Sequence, residues 1–289
     1  MCDHDDLEDF SRKADTLSRR RFNALALGTG LTVALSGHAA TVETQGSDVE
    51  IRTPDGTCDA WFVRPVKGKH PAVLTWPDIF GLRPASKEMA TRLAGSGYSV
   101  LVINPFYRVR KAPTSPEHAD FNDPATREAL MSLAGTLNPQ TAATDATALI
   151  DFLDAQPSVD RKRKMGTTGY CMGGPLVFRC AAAHPDRIGA AATFHGGGLV
   201  TDKPDSPHLL IPKMKARFLV AIAENDDARQ PDAKGVLKDA FAKAHLSAEI
   251  EVYAGAQHGW CPPDSPVYNH DQAEKAWSRQ LALFAKALA

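Results

Sequence analysis

The chain has 289 residues, of which 43% are hydrophobic and 23% are charged, a balance typical of a globular protein with a substantial core. Its formal net charge of -1 argues against nucleic acid or an anionic membrane surface as a partner. The five cysteines lack the CxxC spacing of zinc or redox motifs, and a chain of this size needs no disulfide scaffold.

The first 40 residues have the pattern of an export signal. An arginine pair in SRRRF (18–22) precedes a mildly apolar segment (24–35) too short to span a membrane, and small residues follow in SGHAA (36–40). Ser18-Arg19-Arg20-x-Phe22 resembles the twin-arginine consensus, although the preceding 17 residues are acidic. A surface helix that begins with basic residues is the alternative. We expect cleavage after Ala39 or Ala40 and export to the periplasm.

After residue 40, apolar and alternating runs predict a chain of strands and helices in one domain, 41–289. The predicted strands cover residues 48–53, 58–65, 71–76, 98–104, 164–169, 188–194, 217–223 and 248–254. The predicted helices cover residues 85–96, 124–134, 141–156, 175–185, 231–245 and 268–288. A hairpin followed by repeated strand–helix units predicts an α/β fold, with a mostly parallel sheet covered by helices on both faces.

The most informative motif lies where the fifth predicted strand meets the following helix. Its sequence is G-x-C-x-G, with Cys171 between Gly169 and Gly173. This is the pattern of a nucleophile elbow with cysteine in place of serine, and the tight turn requires glycine on both sides. The free N–H groups at the start of the helix favour a thiolate. The alternative is a buried, inert cysteine, as we expect for Cys180.

An elbow nucleophile needs a carboxylate and then a histidine later in the chain. Asp226 and Asp227 follow the strand 217–223, and His258 follows the strand 248–254, so both occur in the required order at strand ends. His195 also ends a strand, but no strand end with a carboxylate precedes it after Cys171. The sequence therefore predicts a triad of Cys171, one of the two aspartates, and His258.

The loop after the strand 71–76 should complete the site. In this fold pattern the oxyanion hole uses the N–H of the residue after the nucleophile, here Met172, and an N–H from that loop, for which Ile79 is the candidate. Asp78 beside it would place a carboxylate near the thiol and keep the resting cysteine protonated. The alternative for Asp78 is a capping or turn carboxylate.

Five motifs together resemble the dienelactone hydrolase family of α/β-hydrolases across essentially all of residues 41–289: GYCMGG (169–174), DIFG (78–81), NPFYR (104–108), AENDD (223–227) and HGW (258–260). The resemblance implies the α/β-hydrolase fold with about eight strands. It also implies that Cys171, an aspartate and His258 are catalytic, and that Asp78 lies near the thiol.

The resemblance also bears on the triad acid and on substrate contacts. Counting from the start of the strand favours Asp226, which we prefer, and counting back from Pro231 favours Asp227. The aromatic and basic substrate contacts of the family correspond to Tyr107 and Arg108. The arginine four residues after the histidine in dienelactone-degrading members is replaced here by Pro262, which argues against an anionic dienelactone.

The predicted protein is a cysteine-dependent hydrolase of a small carboxylic ester or lactone, acting through a thioester without a metal or organic cofactor. Trp260 is among the aromatic residues expected to line an apolar pocket. We expect a monomer or small homo-oligomer, with no nucleic acid and no membrane as partner once the signal is removed. The alternative is a non-catalytic redox or ligand-binding protein in which Cys171 is oxidised to sulfenic acid or pairs with Cys261. Peptide-bond cleavage is the less favoured third hypothesis.

Overall fold

The computed structural model describes residues 41–289, and the predicted export signal lies outside the described residues. Eight strands are present in this part of the chain: β1 Thr44–Thr53, β2 Gly56–Pro65, β3 Ala72–Trp76, β4 Ser99–Ile103, β5 Met165–Tyr170, β6 Ile188–Phe194, β7 Arg217–Ala223 and β8 Ala248–Tyr253. The helices are α1 Pro84–Gly95, α2 Pro124–Ala134, α3 Pro139–Asp154, α4 Gly173–Ala183, α5 Glu224–Arg229, α6 Ala233–Lys243, α7 His270–Ala287 and a 3-10 helix, Pro207–Lys213.

The eight strands form one sheet in the order β1-β2-β4-β3-β5-β6-β7-β8. The hairpin β1–β2 is antiparallel and joins β4 antiparallel, while every pair from β4 to β8 is parallel. Every residue of β3, β4 and β5 is buried, as expected for central strands covered on both faces. The predicted α/β-hydrolase fold is confirmed.

Helices cover both faces of the sheet and build separate cores. One core combines strand residues with Leu149 of α3, Phe178 of α4 and Phe241 of α6. On another part of the sheet, Leu93 of α1 and Phe284 of α7 pack with buried valines of β3 and β4. Among residues 41–289, no helix is long and apolar enough to cross a membrane.

Two short elements, the 3-10 helix and α5, were not predicted from the sequence. The six residues of α5 directly follow β7 and carry both candidate aspartates, which the strand-end interpretation placed in a loop. A helix of six residues has too few turns to show apolar periodicity. Its presence matters for function because it sets the direction in which each aspartate points.

Candidate active site

Cys171 lies in a strained turn between β5 and α4. Its φ of 51° is in the left-handed region, which a non-glycine residue rarely adopts. The Cys171 N–H donates to the carbonyl oxygen of Phe194 on the neighbouring strand at 3.0 Å, which supports the strained conformation. The turn therefore exposes the thiol at the carboxyl end of the sheet.

The two flanking glycines are required by close backbone contacts. A Cβ atom on Gly169 would lie 2.4 Å from the carbonyl oxygen of Gly173. A Cβ atom on Gly173 would lie 2.3 Å from the carbonyl oxygen of Trp76 at the end of β3. Both distances are shorter than real Cβ contacts allow, so the turn can close only with glycine at both positions.

The structure brings Cys171, His258 and Asp226 into one chain of hydrogen bonds. His258 Nε2 lies 3.0 Å from Cys171 Sγ, and His258 Nδ1 lies 2.7 Å from Asp226 Oδ2. The His258 and Asp226 side chains are 30% and 19% exposed, so the hydrogen-bonded chain is partly shielded from water. Because Nδ1 faces a carboxylate, it carries a proton, and Nε2 is left to exchange a proton with the thiol.

The two candidate aspartates are adjacent on α5 but point to different partners. Asp227 directs both carboxylate oxygens to Lys234 Nζ, each at 2.7 Å, while Asp226 faces His258. Consecutive residues on a helix point in directions about 100° apart, so only one of two adjacent side chains can face the histidine. The sequence left this choice open, and the structure places Asp226 against the imidazole.

Two further residues of α5 hold the histidine loop, and the sequence analysis did not single them out. The Asn225 side-chain oxygen accepts the His258 N–H at 2.9 Å. The Glu224 carboxylate accepts the Gly255 N–H at 2.9 Å, and its own N–H donates to the Ala256 carbonyl at 2.9 Å. The short helix α5 therefore positions His258 in two ways. Asn225 accepts its backbone N–H, and Asp226 binds its ring.

The surroundings of His258 favour its charged form. Burial by itself lowers the pKa of His258, but the hydrogen bonds and charges of Asp226 and Cys171 outweigh burial and raise that pKa to about 10. An imidazolium beside a thiolate is the arrangement that activates a cysteine nucleophile.

The backbone N–H groups of Ile79 and Met172, the two predicted oxyanion-hole donors, have no acceptor among residues 41–289. Met172 directly precedes α4, where N–H groups have no helical partner. In the other loop, the N–H groups of Phe80 and Gly81 are both taken by Asp78, at 3.0 Å each, whereas that of Ile79 is not. The two residues predicted to form the oxyanion hole therefore supply free donors.

Asp78 makes contacts other than the predicted one with the thiol. Its carboxylate accepts two hydrogen bonds from Arg83, at 2.6 and 2.9 Å, and one from the Phe80 N–H. Within the described part of the chain, no hydrogen bond joins Asp78 to Cys171. Asp78 therefore makes the turn contact of the alternative interpretation and also binds an arginine that was not predicted, while its predicted effect on the thiol stays a prediction.

Arg83 is held between two carboxylates. Its guanidinium also donates to Asp264 at 2.7 and 3.0 Å, so it joins the loop before α1 to the loop before α7. Asp78, Arg83 and Pro262 line one cleft together with Tyr170, the residue before Cys171. The cleft therefore has an arginine beside Pro262, but its two carboxylate partners leave the cluster with a net charge of -1.

Tyr107 and Arg108 were expected to contact substrate, and in the structure both bind carboxylates of the chain itself. The Tyr107 hydroxyl donates to Asp145 at 2.7 Å, and the Arg108 guanidinium donates to Asp145 at 2.7 and 2.9 Å and to Asp55 at 2.6 Å. Asp145 lies on α3 with a side chain only 3% exposed, so it needs both partners. Arg108 neutralises the buried carboxylate of Asp145, and Tyr107 adds a hydrogen bond to it.

Trp260 was expected to line the substrate pocket, and its position in the structure contradicts that expectation. Its side chain is completely buried. The ring stacks on Tyr253 at a centroid distance of 5.2 Å and meets His195 edge-on at 5.1 Å. Trp260 therefore packs beneath the histidine loop and cannot contact a ligand directly.

The described cysteines are all free thiols: Cys58, Cys171, Cys180 and Cys261. All except Cys171 are buried, and burial raises the pKa of Cys180 to about 12 and that of Cys261 well above its ordinary value. Cys171 and Cys261 are not joined in this structure, so the disulfide form of the redox alternative is not the one seen here.

The comparisons with known proteins agree with this architecture. The model of the dienelactone hydrolase family matches residues 58–288. A "Putative carboxymethylenebutenolidase" of Methylorubrum extorquens is 26% identical over 276 residues, covering 91% of both chains. A "Probable 2-oxo-3-(5-oxofuran-2-ylidene)propanoate lactonase" of Bradyrhizobium is 26% identical, covering 81% of this chain and 91% of that protein.

A solved structure shows the same fold. The crystal structure of a "Putative Dienelactone Hydrolase" from Klebsiella pneumoniae superposes with a TM-score of 0.72 and 22% identity, over 84% of this chain and 99% of the other. With the family model matching most of the chain and the sheet and elbow in place, this protein belongs to the dienelactone hydrolase family.

Proposed function

We propose that this member of the family hydrolyses a neutral carboxylic ester or lactone through a thioester on Cys171. The observation that carries the proposal is the hydrogen-bonded chain Asp226–His258–Cys171, with distances of 2.7 and 3.0 Å. The names of the relatives, "Putative carboxymethylenebutenolidase" and "Probable 2-oxo-3-(5-oxofuran-2-ylidene)propanoate lactonase", support the class of substrate.

In the proposed mechanism, His258 holds the proton of Cys171, and the thiolate attacks the carbonyl carbon of the substrate. The free N–H groups of Ile79 and Met172 stabilise the negative charge that develops on the carbonyl oxygen. The imidazolium gives its proton to the leaving alkoxide. His258 then removes a proton from water, the water attacks the thioester, and the acid is released as the thiol re-forms.

The charge of the cleft supports a neutral substrate. Arg83 is the cation beside Pro262, but Asp78 and Asp264 each bind it through two hydrogen bonds. A carboxylate on the substrate would have to displace one of these carboxylates or sit beside a cluster with a net charge of -1. Either costs binding energy, so we propose that an anionic dienelactone is a poor substrate.

The first experiment measures burst and steady-state hydrolysis of p-nitrophenyl acetate by the full-length protein. We expect a burst followed by turnover, and loss of both in Cys171→Ala. Turnover in His258→Ala should fall by about 10²–10⁴, because the general base is lost. Cys261→Ala, which removes a buried thiol, is the matched control and should retain activity. Unchanged turnover in Cys171→Ala would refute the mechanism.

The second experiment tests the proposed charge selection. Asp264→Asn removes one carboxylate from Arg83, so we expect the kcat/KM ratio for an anionic ester, p-nitrophenyl hydrogen succinate, over p-nitrophenyl acetate to rise at least about 10-fold. Asp271→Asn changes an exposed carboxylate outside the cleft and should leave the ratio unaltered. An unchanged ratio in Asp264→Asn would show that the Arg83 cluster does not select substrate charge.

We also propose that residues 1–40 direct export by the twin-arginine route and are removed. The support is the Ser18-Arg19-Arg20-x-Phe22 motif and the small residues before residue 41. Mass spectrometry of the periplasmic fraction should find a chain that begins at Ala40 or Thr41. Replacing Arg19 and Arg20 by lysine should retain the uncleaved protein in the cytoplasm, and periplasmic recovery of that variant would refute the route.

A further inference from the structure

His195 is a buried histidine that the hydrolytic mechanism does not use. Its side chain is 1% exposed, and neither ring nitrogen has a hydrogen-bond partner among residues 41–289. Buried polar groups are nearly always paired, so an imidazole with two unpaired nitrogens requires an explanation. One nitrogen of a neutral imidazole carries a lone pair that can accept a hydrogen bond or bind a metal, and in His195 no group among residues 41–289 uses it.

The fold places this lone pair at the proposed active site. His195 directly follows β6 and Cys171 directly follows β5, and the two strands are paired so that Tyr170 lies opposite Phe194. Both residues have positive φ, 42° for His195 and 51° for Cys171, and each directly follows the last residue of its strand at the carboxyl end of the sheet. The His195 and His258 rings lie edge to face with a centroid distance of 5.1 Å.

We propose that Cys171, His195 and His258 form a site for a thiophilic divalent cation, with Zn²⁺ as the expected ion, and that its binding reversibly blocks hydrolysis. The ligand atoms of the three residues all lie within 4.8 Å of one another. One thiolate and two neutral imidazoles are a donor set that zinc prefers over magnesium or calcium.

The geometry requires small adjustments. Bonds of about 2.3 Å to sulfur and about 2.1 Å to nitrogen place tetrahedral ligand atoms about 3.4 to 3.6 Å apart. The 3.0 Å separation of Cys171 Sγ and His258 Nε2 must therefore open slightly, and the His195 nitrogen must move inward by about 1 Å. Rotation of side chains about their own bonds can supply shifts of this size.

The hydrogen bond between Asp226 and His258 already has the form found around zinc. A histidine that binds zinc usually donates its other ring N–H to a carboxylate, which fixes the ring and raises its basicity. His258 makes this contact through Nδ1 at 2.7 Å and leaves Nε2 for the metal. Three protein ligands also leave the fourth coordination position open.

Binding and hydrolysis exclude each other because they use the same atoms. When the cation binds, the one proton shared by Cys171 and His258 is released to solvent, and bonds form from the metal to sulfur and to the two nitrogens. The nucleophile and the base are then both occupied. The inhibitory consequence rests on the proposed function, whereas the binding site itself does not.

The test titrates the metal-free full-length protein with Co²⁺, a zinc substitute whose bond to a thiolate gives a charge-transfer absorption band. We expect the band in the wild type and in Cys261→Ala, and no band in Cys171→Ala. His195→Phe keeps an aromatic ring but has no atom that can bind a metal. We expect this variant to bind Co²⁺ at least about 100-fold more weakly than the wild type. Loss of a residue that only hydrogen-bonds to a metal-binding side chain already lowers metal affinity by about 10- to 100-fold. His270→Asn controls for exposed histidines.

Zinc inhibition of p-nitrophenyl acetate hydrolysis, measured relative to the turnover of each protein without zinc, should weaken in parallel in His195→Phe. Equal Co²⁺ affinity in wild type and His195→Phe, or no thiolate band in the wild type, would overturn the site. If the variant does not fold, X-ray absorption of the Zn²⁺-loaded wild type decides: one sulfur and two imidazoles support the site, and a single imidazole overturns it. The absorption band is read independently of turnover, so failure of the hydrolase proposal alone leaves this test intact.

Discussion

The adjacent aspartates of α5 offer a sharp test of the proposed triad. Asp226→Asn and Asp227→Asn are the same chemical change one residue apart, yet only Asp226 contacts His258. A pKa of about 10 for His258, against an ordinary 6.5, corresponds to about 5 kcal/mol of preference for the imidazolium, shared between Asp226 and Cys171. Asp226 supplies one of the hydrogen bonds that raise this pKa, so its loss weakens the preference for the imidazolium.

The asparagine has a second effect. Its amide N–H group can donate to Nδ1 of His258, and the ring proton then lies on Nε2. With a proton already on Nε2, that atom can no longer accept the proton of Cys171. Together the two effects should lower kcat for p-nitrophenyl acetate by about 10³–10⁴ in Asp226→Asn. Asp227→Asn loses only a contact to Lys234 and should stay within about threefold of the wild type.

The assay is steady-state hydrolysis with far-ultraviolet circular dichroism as the control for folding. If Asp227→Asn lost as much activity as Asp226→Asn while both variants remained folded, α5 would act through its overall position and not through the hydrogen bond to His258. The reasoning would then be wrong.

Two further predictions concern the elbow and the buried carboxylate. Gly173→Ala places a Cβ atom 2.3 Å from a backbone carbonyl oxygen. We therefore expect a free energy of unfolding about 2–3 kcal/mol lower and a kcat at least about 100-fold lower. Gly197→Ala is the control and should change neither, because a Cβ atom there would have no neighbour within 4 Å. Arg108→Ala leaves the carboxylate of Asp145 buried without its charged partner and should cost about 3–5 kcal/mol in urea unfolding, with KM unchanged if the residue does not bind substrate. The control Lys215→Ala breaks an exposed ion pair and should leave the unfolding midpoint unchanged. A raised KM in Arg108→Ala would indicate that Arg108 binds substrate.

The sequence by itself determined the fold and the position of the elbow. Apolar runs in the central strands and the alternation in the hairpin are local signals, and they placed all eight strands of the sheet. The spacing of Gly169 and Gly173 around Cys171 is also local, because the turn closes within five residues. Parallel strands bring their carboxyl ends to one edge, so the order of Cys171 and His258 along the chain sufficed to predict that they meet.

Only the tertiary structure decided which side chains complete the site. The choice between Asp226 and Asp227 depends on the rotation of a helix too short to be predicted. The contact between Arg83 and Asp264 joins residues 181 positions apart, and no local pattern encodes it.

The same reason explains the partner of Arg108, which was not predicted, and the histidine that was set aside. Arg108 turned to Asp145 because a buried carboxylate must be neutralised, and that burial exists only once α3 packs on the sheet. His195 was set aside because chain order excluded it from the triad, yet the pairing of β5 with β6 places its ring beside the thiol. Local patterns specify strands and turns, whereas partners distant in sequence are set by packing.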